Sequence, residues 1–313
     1  MRTEQNGTED AHGIMFHHFH DKKHLKGQGA ISADQFENII EYYGDRLLSA
    51  QDWFNKARTN SLNNKEVCLT FDDALLCQYD IALRVLEKYN LTAFWFVYSS
   101  VLSGEVESLE VYRKFRTAYF PNIDDFYSHF FFTLNETGYR NEVESSLRNY
   151  SHEDWGHFPF YSRNDTKFRH IRDTALGVDK YNHVMELIMR DYDIDVNDFS
   201  SDLWMGVEHI QELDSKGHIV GLHSHTHPTQ LVNLSVSEQE KEYQDNYRFL
   251  CGLLGSKPKT VSHPCNSYDN QTLSILRNLG VEIGFRANME KHFFSELEFP
   301  REDHANVIRR IEQ

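Results

Sequence analysis

Basic residues are scarce in this sequence. Its 313 residues include 32 lysines and arginines against 48 aspartates and glutamates, for a formal net charge of −16. That balance argues against nucleic acid and anionic membrane surfaces as partners, because both would be repelled at long range. Long apolar runs are also missing, so no transmembrane segment is expected. The first residues, MRTEQNGTEDAHG, lack the basic stretch and apolar segment of a secretory leader, and the resulting expectation is a soluble, cytoplasmic protein. Cysteine is sparse as well. Cys68, Cys77, Cys251 and Cys265 form no C-x-x-C pair, which suggests neither a zinc knuckle nor a disulfide framework and leaves four reduced thiols. Sequons such as Asn90-Leu91-Thr92 carry little weight without secretion.

What remains is the composition of a globular protein, 40% hydrophobic and 13% aromatic. The length suits one substantial core, and a single domain with an insertion fits as well as two domains. Residues 13–19, GIMFHHF, read as a short strand. SADQFENIIEYYG then reads as a helix, with Ser32 and Gln35 as a capping box, Phe36, Ile39, Ile40 and Tyr43 on one face, and Gly44 ending it. After a polar connection, VCLTF at 67–71 reads as a buried strand, a helix spans about 75–89, and TAFWFVY at 92–98 is a second strand.

The same grammar returns later in the chain. A helical stripe of Leu203, Val207, Ile210 and Leu213 precedes a strand at 218–223, and a helix with a capping box at Ser237 and Glu240 precedes a strand at 260–264. NQTLSILRNLG then leads into a strand at 281–285. Helices alternating with short apolar strands predict a mainly parallel sheet, either an α/β barrel or a doubly wound sheet. Both architectures place ligands at the carboxyl ends of the strands.

Residues 100–201 break the rhythm, being rich in aromatics, charges and asparagine, though KYNHVMELIMRDY looks helical. A structureless loop of that size does not suit a compact domain, so the stretch reads as a partly helical insertion flanking the active-site cleft.

Two clusters could carry chemistry. Asp72 and Asp73 follow the strand at 67–71, and in isolation such a pair caps a helix or sits in solvent. His223, His225 and His227 follow another strand at alternate positions, and alone they would read as surface histidines. Parallel strands put both clusters on one face, where one carboxylate and two imidazoles supply the three protein ligands of an open catalytic metal site.

Together, LTFDD and HSHTH resemble the Thr-Phe-Asp-Asp and His-Ser/Thr-x-x-His motifs of the polysaccharide deacetylase family, carbohydrate esterase family four. The resemblance implies an irregular (β/α) barrel with Asp72 as general base and Asp73, His223 and His227 as metal ligands, while His225 takes a variable position. The implied cofactor is one divalent ion, zinc with cobalt or nickel as alternatives, and the implied substrate is an N-acetylated amino sugar. A cation on Asp73 would let both carboxylates stay ionised, and Asp72 could then take a proton from the attacking water.

The family's C-terminal Leu-His acid has no equivalent, since His292 and His304 lie in other contexts. IMFHHF instead resembles the opening motif of the circularly permuted branch, which implies His17 as the acid, with His18 as second choice. In place of the third motif the chain has VSHPCNSYD, where Pro264 matches and Cys265 stands where a backbone N–H helps hold the oxyanion. FPREDHANV resembles the permuted branch's closing segment, which implies that Arg301 pairs with Asp72 and that Asp303 assists.

The leading expectation is a metal-dependent de-N-acetylase of a glycan or glycan precursor. An O-acetyl esterase, a small-amide amidohydrolase and a non-catalytic carbohydrate-binding protein stand as alternatives.

Overall fold

The computed structural model describes residues 10–152, 162–290 and 295–313. Residues 1–9, 153–161 of the aromatic stretch, and 291–294, His292 among them, lie outside the described residues. The chain forms two compact units, Met1–Glu105 with Asp202–Gln313, and Val106–Ser201.

In the first unit the strands are β1 (His12–Phe16), β2 (Val67–Phe71), β3 (Phe94–Val97), β4 (Ile219–Leu222), β5 (Thr260–Ser262), β6 (Ile283–Phe285) and β7 (Arg301–Asp303). All pair in parallel, in the order β6-β5-β4-β3-β2-β1-β7. Just before β7, Phe299 makes a parallel bridge to Phe285 of β6, so the two edges approach and the sheet nearly closes into an irregular (β/α) barrel. Closure depends on Gly284, where a Cβ would come within 2.3 Å of the Leu297 carbonyl oxygen.

Helices α1 (Ala33–Tyr43) and α2 (Ala50–Arg58) separate β1 from β2, and α3 (Leu83–Lys88) separates β2 from β3. The second unit contributes α4 (Ser108–Tyr119), α5 (Ile123–Asn135), α6 (Arg140–Leu147), α7 (Arg163–His170) and α8 (Gly177–Arg190). Then come α9 (Val207–Ser215), α10 (Val236–Leu254), α11 (Asn270–Leu279) and α12 (His304–Ile311).

Strands β1, β2 and β3 are buried on both faces, which is why they read as continuous apolar runs. One face, with Phe16, Leu69, Phe71, Trp95 and Val97, packs against the helical layer. The other, with Cys68, Phe94, Phe96 and Phe285, packs against Trp53, Phe54 and Ala57 of α2. Trp53 lies 5.1 Å from Phe285 and 4.8 Å from Phe299, ring to ring, and seals that side of the barrel. Helix α2 occupies what reads in sequence as a polar connection. Its nine residues include only four buried ones, too short a stripe to stand out among the exposed polar side chains around it.

Helix α1 has the expected box at Ser32 and Gln35 and buries Phe36, Ile39, Ile40 and Tyr43. The box of α10 is different. Ser235 and Glu238 form it, not Ser237 and Glu240. SVSEQE contains two overlapping Ser-x-x-Glu patterns, and the helix starts at the earlier one, leaving Ser237 inside the first turn. The helix expected over 75–89 is regular only from Leu83, following a wider turn at Gln78–Ala82.

In the second unit the helices enclose an aromatic core of their own. Phe115, Phe126, Phe130, Phe168 and Tyr181 are buried there, with Phe130 and Phe168 meeting edge to face at 4.9 Å.

Candidate active site

The carboxylate pair sits at the carboxyl end of β2, clamped from both sides. The Asp72 N–H donates to the Phe16 carbonyl on β1 at 3.1 Å, and the Asp73 N–H to the Phe96 carbonyl on β3 at 3.1 Å. The chain then turns through left-handed backbone at Asp73 (φ 78°) and Ala74 (φ 54°). Ser224, His227, Cys265 and Asn266 are also left-handed, so strained backbone collects at the ends of β2, β4 and β5. Asn266 fills a place where glycine is the cheaper residue, and its side-chain oxygen accepts the Ala287 N–H at 2.9 Å.

Asp72 is 2% exposed and lies in a guanidinium fork. Arg301 Nη1 donates to Oδ1 at 2.7 Å and Nη2 to Oδ2 at 2.8 Å, while the Ser262 hydroxyl adds a third donor to Oδ2 at 3.1 Å. Arg301 is anchored in turn by the Arg286 carbonyl at 2.9 Å and Ser262 Oγ at 2.7 Å. Burial alone would raise the Asp72 pKa, but the charges of Arg301 and His223 hold it below the usual carboxylate range.

Asp73 faces two imidazoles. Its Oδ1 is 3.3 Å from His223 Nε2 and 3.4 Å from His227 Nε2, and the three donor atoms lie within 4.8 Å of one another. The His223 Nδ1 donates to the Ser262 carbonyl at 2.8 Å, which fixes the tautomer and turns the Nε2 lone pair inward. Burial would raise the Asp73 carboxyl too, but the neighbouring His227 and His223 hold it well below its ordinary value. Burial lowers the His227 pKa and so favours the neutral ring a metal needs, while His223 is drawn down by burial and up, on balance, by Asp72 and Asp73.

A cation fits this donor set. Asp73 Oδ1 is buried with no hydrogen-bond donor of its own, because neither imidazole contact closes into a hydrogen bond, and such an orphan acceptor is costly unless something positive meets it. Two neutral nitrogens and one carboxylate oxygen form a zinc-type set.

His17, just past β1, brings Nε2 to 4.0 Å from Asp72 Oδ2 and 3.9 Å from Asp73 Oδ2 and stays partly exposed. Its carbonyl accepts from Gln78 Nε2 at 2.8 Å. The His18 ring stacks on it at 6.3 Å. His225 points elsewhere, with Nδ1 2.9 Å from Ser99 Oγ. Pro264 and Cys265 form the turn after β5, Pro264 buried and Cys265 exposed. Asp303 is not brought to the pair, since its Oδ1 caps α12 at the Ala305 N–H, 2.8 Å away. His304 is buried, its ring nitrogens 3.1 Å and 3.0 Å from the carbonyls of Met15 and Gly29.

Sequence reasoning missed several supports. Ser262 touches Asp72, Arg301 and His223 together, and Asn246 of α10 accepts the His223 N–H at 3.0 Å and donates to the Val97 carbonyl at 2.9 Å. Trp204 donates its indole N–H to Tyr98 Oη at 2.6 Å, and the Tyr98 ring lies 5.2 Å from His227. The available signal was polarity out of place, for Ser262, Gln78 and Asn246 are all fully buried.

The family sequence model described as polysaccharide deacetylase matches residues 179–284, a span that holds His223 and His227 but not the Asp pair. Among solved structures, the chain is similar to the deacetylase PplD of Streptococcus pyogenes in complex with acetate, at 15% identity and TM-score 0.56, covering 98% of this chain and 100% of that one. It is similar to IcaB from Ammonifex degensii at 16% identity and TM-score 0.55, covering 97% and 98%. A de-N-acetylase from Aggregatibacter actinomycetemcomitans aligns at 12% identity and TM-score 0.55, covering 96% and 99%. At these identities the likeness is one of fold. No curated protein matches.

Proposed function

We propose that this chain is a carbohydrate de-N-acetylase of the polysaccharide deacetylase type, metal-dependent and removing N-acetyl groups from an amino sugar in a glycan or glycan precursor. The observation that carries the reading is the buried, donorless Asp73 Oδ1 facing His223 Nε2 and His227 Nε2, with a second, separately tethered carboxylate beside it. A pure binding site has no use for that second carboxylate.

Asp73, His223 and His227 would hold the ion, zinc with cobalt or nickel as alternatives. When bound, it supplies Lewis acidity to the amide carbonyl and makes a nearby water more acidic. Asp72 takes the proton from that water as its oxygen bonds to the carbonyl carbon. Arg301 and Ser262 keep Asp72 from rotating, so the base stays aimed and ionised. The Cys265 backbone N–H donates to the carbonyl oxygen as that atom gains charge. His17, reached from the first strand as in the permuted branch, gives its proton to the nitrogen while the C–N bond breaks. Acetate and a free amine leave.

Acetate release from a panel of N-acetylated saccharides and sugar nucleotides, with and without chelator, tests this reading. Release that chelator stops and added zinc or cobalt restores is expected. Release unaffected by chelator, or none from any substrate, would overturn it.

A further inference from the structure

The loop between the two histidine ligands has an expensive shape. Ser224 (φ 62°) and His227 (φ 55°) are both left-handed without being glycine, a conformation that persists only where the surroundings impose it. The imposing partner lies on α10. Glu242 turns its carboxylate onto the loop, where Oε2 accepts the backbone N–H groups of His225 at 2.9 Å and Thr226 at 2.8 Å, and Oε1 accepts the Thr226 hydroxyl at 2.7 Å. One helical turn further on, Asn246 takes the His223 N–H and ties it to the Val97 carbonyl of β3. Across the loop, the His225 carbonyl accepts the Ser100 N–H at 2.9 Å.

We propose that Glu242 is a positioning residue for the metal site, its carboxylate bracing the His223–His227 loop in the one shape that brings both Nε2 atoms to Asp73 before the ion arrives. The proposal rests on the metal-dependent reading above. The Glu242 oxygens are engaged by the loop's backbone and by Thr226, so the carboxylate acts on the ligands through the loop. A charged acceptor shared by two adjacent N–H groups makes strong hydrogen bonds, and fixing the loop in advance spares the ion the entropy of ordering it.

The test is a cobalt titration of the metal-free full-length protein, following the visible absorption of the bound ion. The series is wild type, Glu242→Ala, Glu242→Gln and Thr226→Val. Glu242→Ala is expected to lose about 10–100-fold in cobalt affinity and to show an altered absorption envelope, as for loss of other supports behind metal ligands. Glu242→Gln keeps an oxygen acceptor for both N–H groups and should recover most of the affinity. Thr226→Val removes only the hydroxyl contact and should lose several-fold at most. Circular dichroism of each metal-free variant shows whether it is folded. If Glu242→Ala is misfolded, Glu242→Gln and Thr226→Val still rank the brace. Glu242→Ala binding cobalt as the wild type does, with the same spectrum, would overturn the brace alone. Wild-type protein that binds no cobalt would overturn the metal reading itself.

Discussion

Arg301 and Asp72 lie 229 residues apart and meet in a two-pronged, fully buried ion pair. The guanidinium comes from β7 and the carboxylate from the end of β2, and β1 lies between them in the sheet. A lysine cannot reproduce the fork. Arg301→Lys is therefore expected to lower kcat by at least about tenfold, with stability reduced as well. Arg301→Ala, which leaves the carboxylate buried and unpaired, should cost on the order of 3–5 kcal/mol in denaturant unfolding. Equal activity in Arg301→Lys and wild type would show that the fork does not orient the base.

His17 is the proposed proton donor to the departing nitrogen, and an amine leaves poorly without one. His17→Gln should slow N-acetyl hydrolysis about 10²–10⁴-fold. An activated aryl acetate, whose leaving group needs no proton, should be hydrolysed at a rate much closer to the wild type's. Comparing the two substrates on one preparation checks this, and an equal loss on both would assign His17 a different role.

Two buried histidines away from the ligand set give the fold a pH dependence. Burial lowers the pKa of His218 and of His263 to about 4 from an ordinary 6.5. His218 Nδ1 accepts the Ala93 N–H at 3.0 Å, a bond that a protonated ring cannot make. Between about pH 4 and pH 6.5 both rings are neutral in the fold and take up a proton on unfolding. Their contribution is therefore intact above pH 6.5 and is lost as the pH falls towards 4, by up to about 3 kcal/mol for each. Urea unfolding of the metal-free protein across this window should show stability falling with pH. His218→Asn, which keeps an acceptor for Ala93, should flatten the slope.

The start of α10 offers a local test. Ser235→Ala removes a capping hydroxyl and should cost about 1 kcal/mol, whereas Ser237→Ala, inside the first turn, should change stability little. The reverse order would restore the later capping box.

Those two serines show where sequence reading reaches its limit. A capping pattern says that a helix begins nearby, but two overlapping patterns are decided by packing, and the stripe of Tyr243 and Leu250 fits either start. Strands β1 to β6 were legible because burial on both faces leaves continuous apolar runs. Strand β7 was not, being three residues of Arg-Glu-Asp whose pairing to β1 is tertiary. That the carboxylate pair and the histidine cluster share a face was readable because both follow strand ends whose direction a parallel sheet dictates, whereas the choice of Asp72 as base and of Asp73, His223 and His227 as ligands came from resemblance. The pairing of Arg301 with Asp72 came from resemblance, and the structure brings the two together. Ser262, Asn246 and Glu242 could not be found that way. Each acts through a backbone group or a shared hydroxyl, and no spacing in the sequence announces such contacts.

The most direct test of the account is bound metal per chain, measured on purified wild type, Asp72→Asn and His223→Ala after equilibration with zinc. Wild type and Asp72→Asn should each hold one tightly bound ion while only the wild type releases acetate, and His223→Ala should lose both the ion and the activity. Full acetate release by Asp72→Asn, or zinc retained unchanged by His223→Ala, would contradict the division of labour between the two carboxylates.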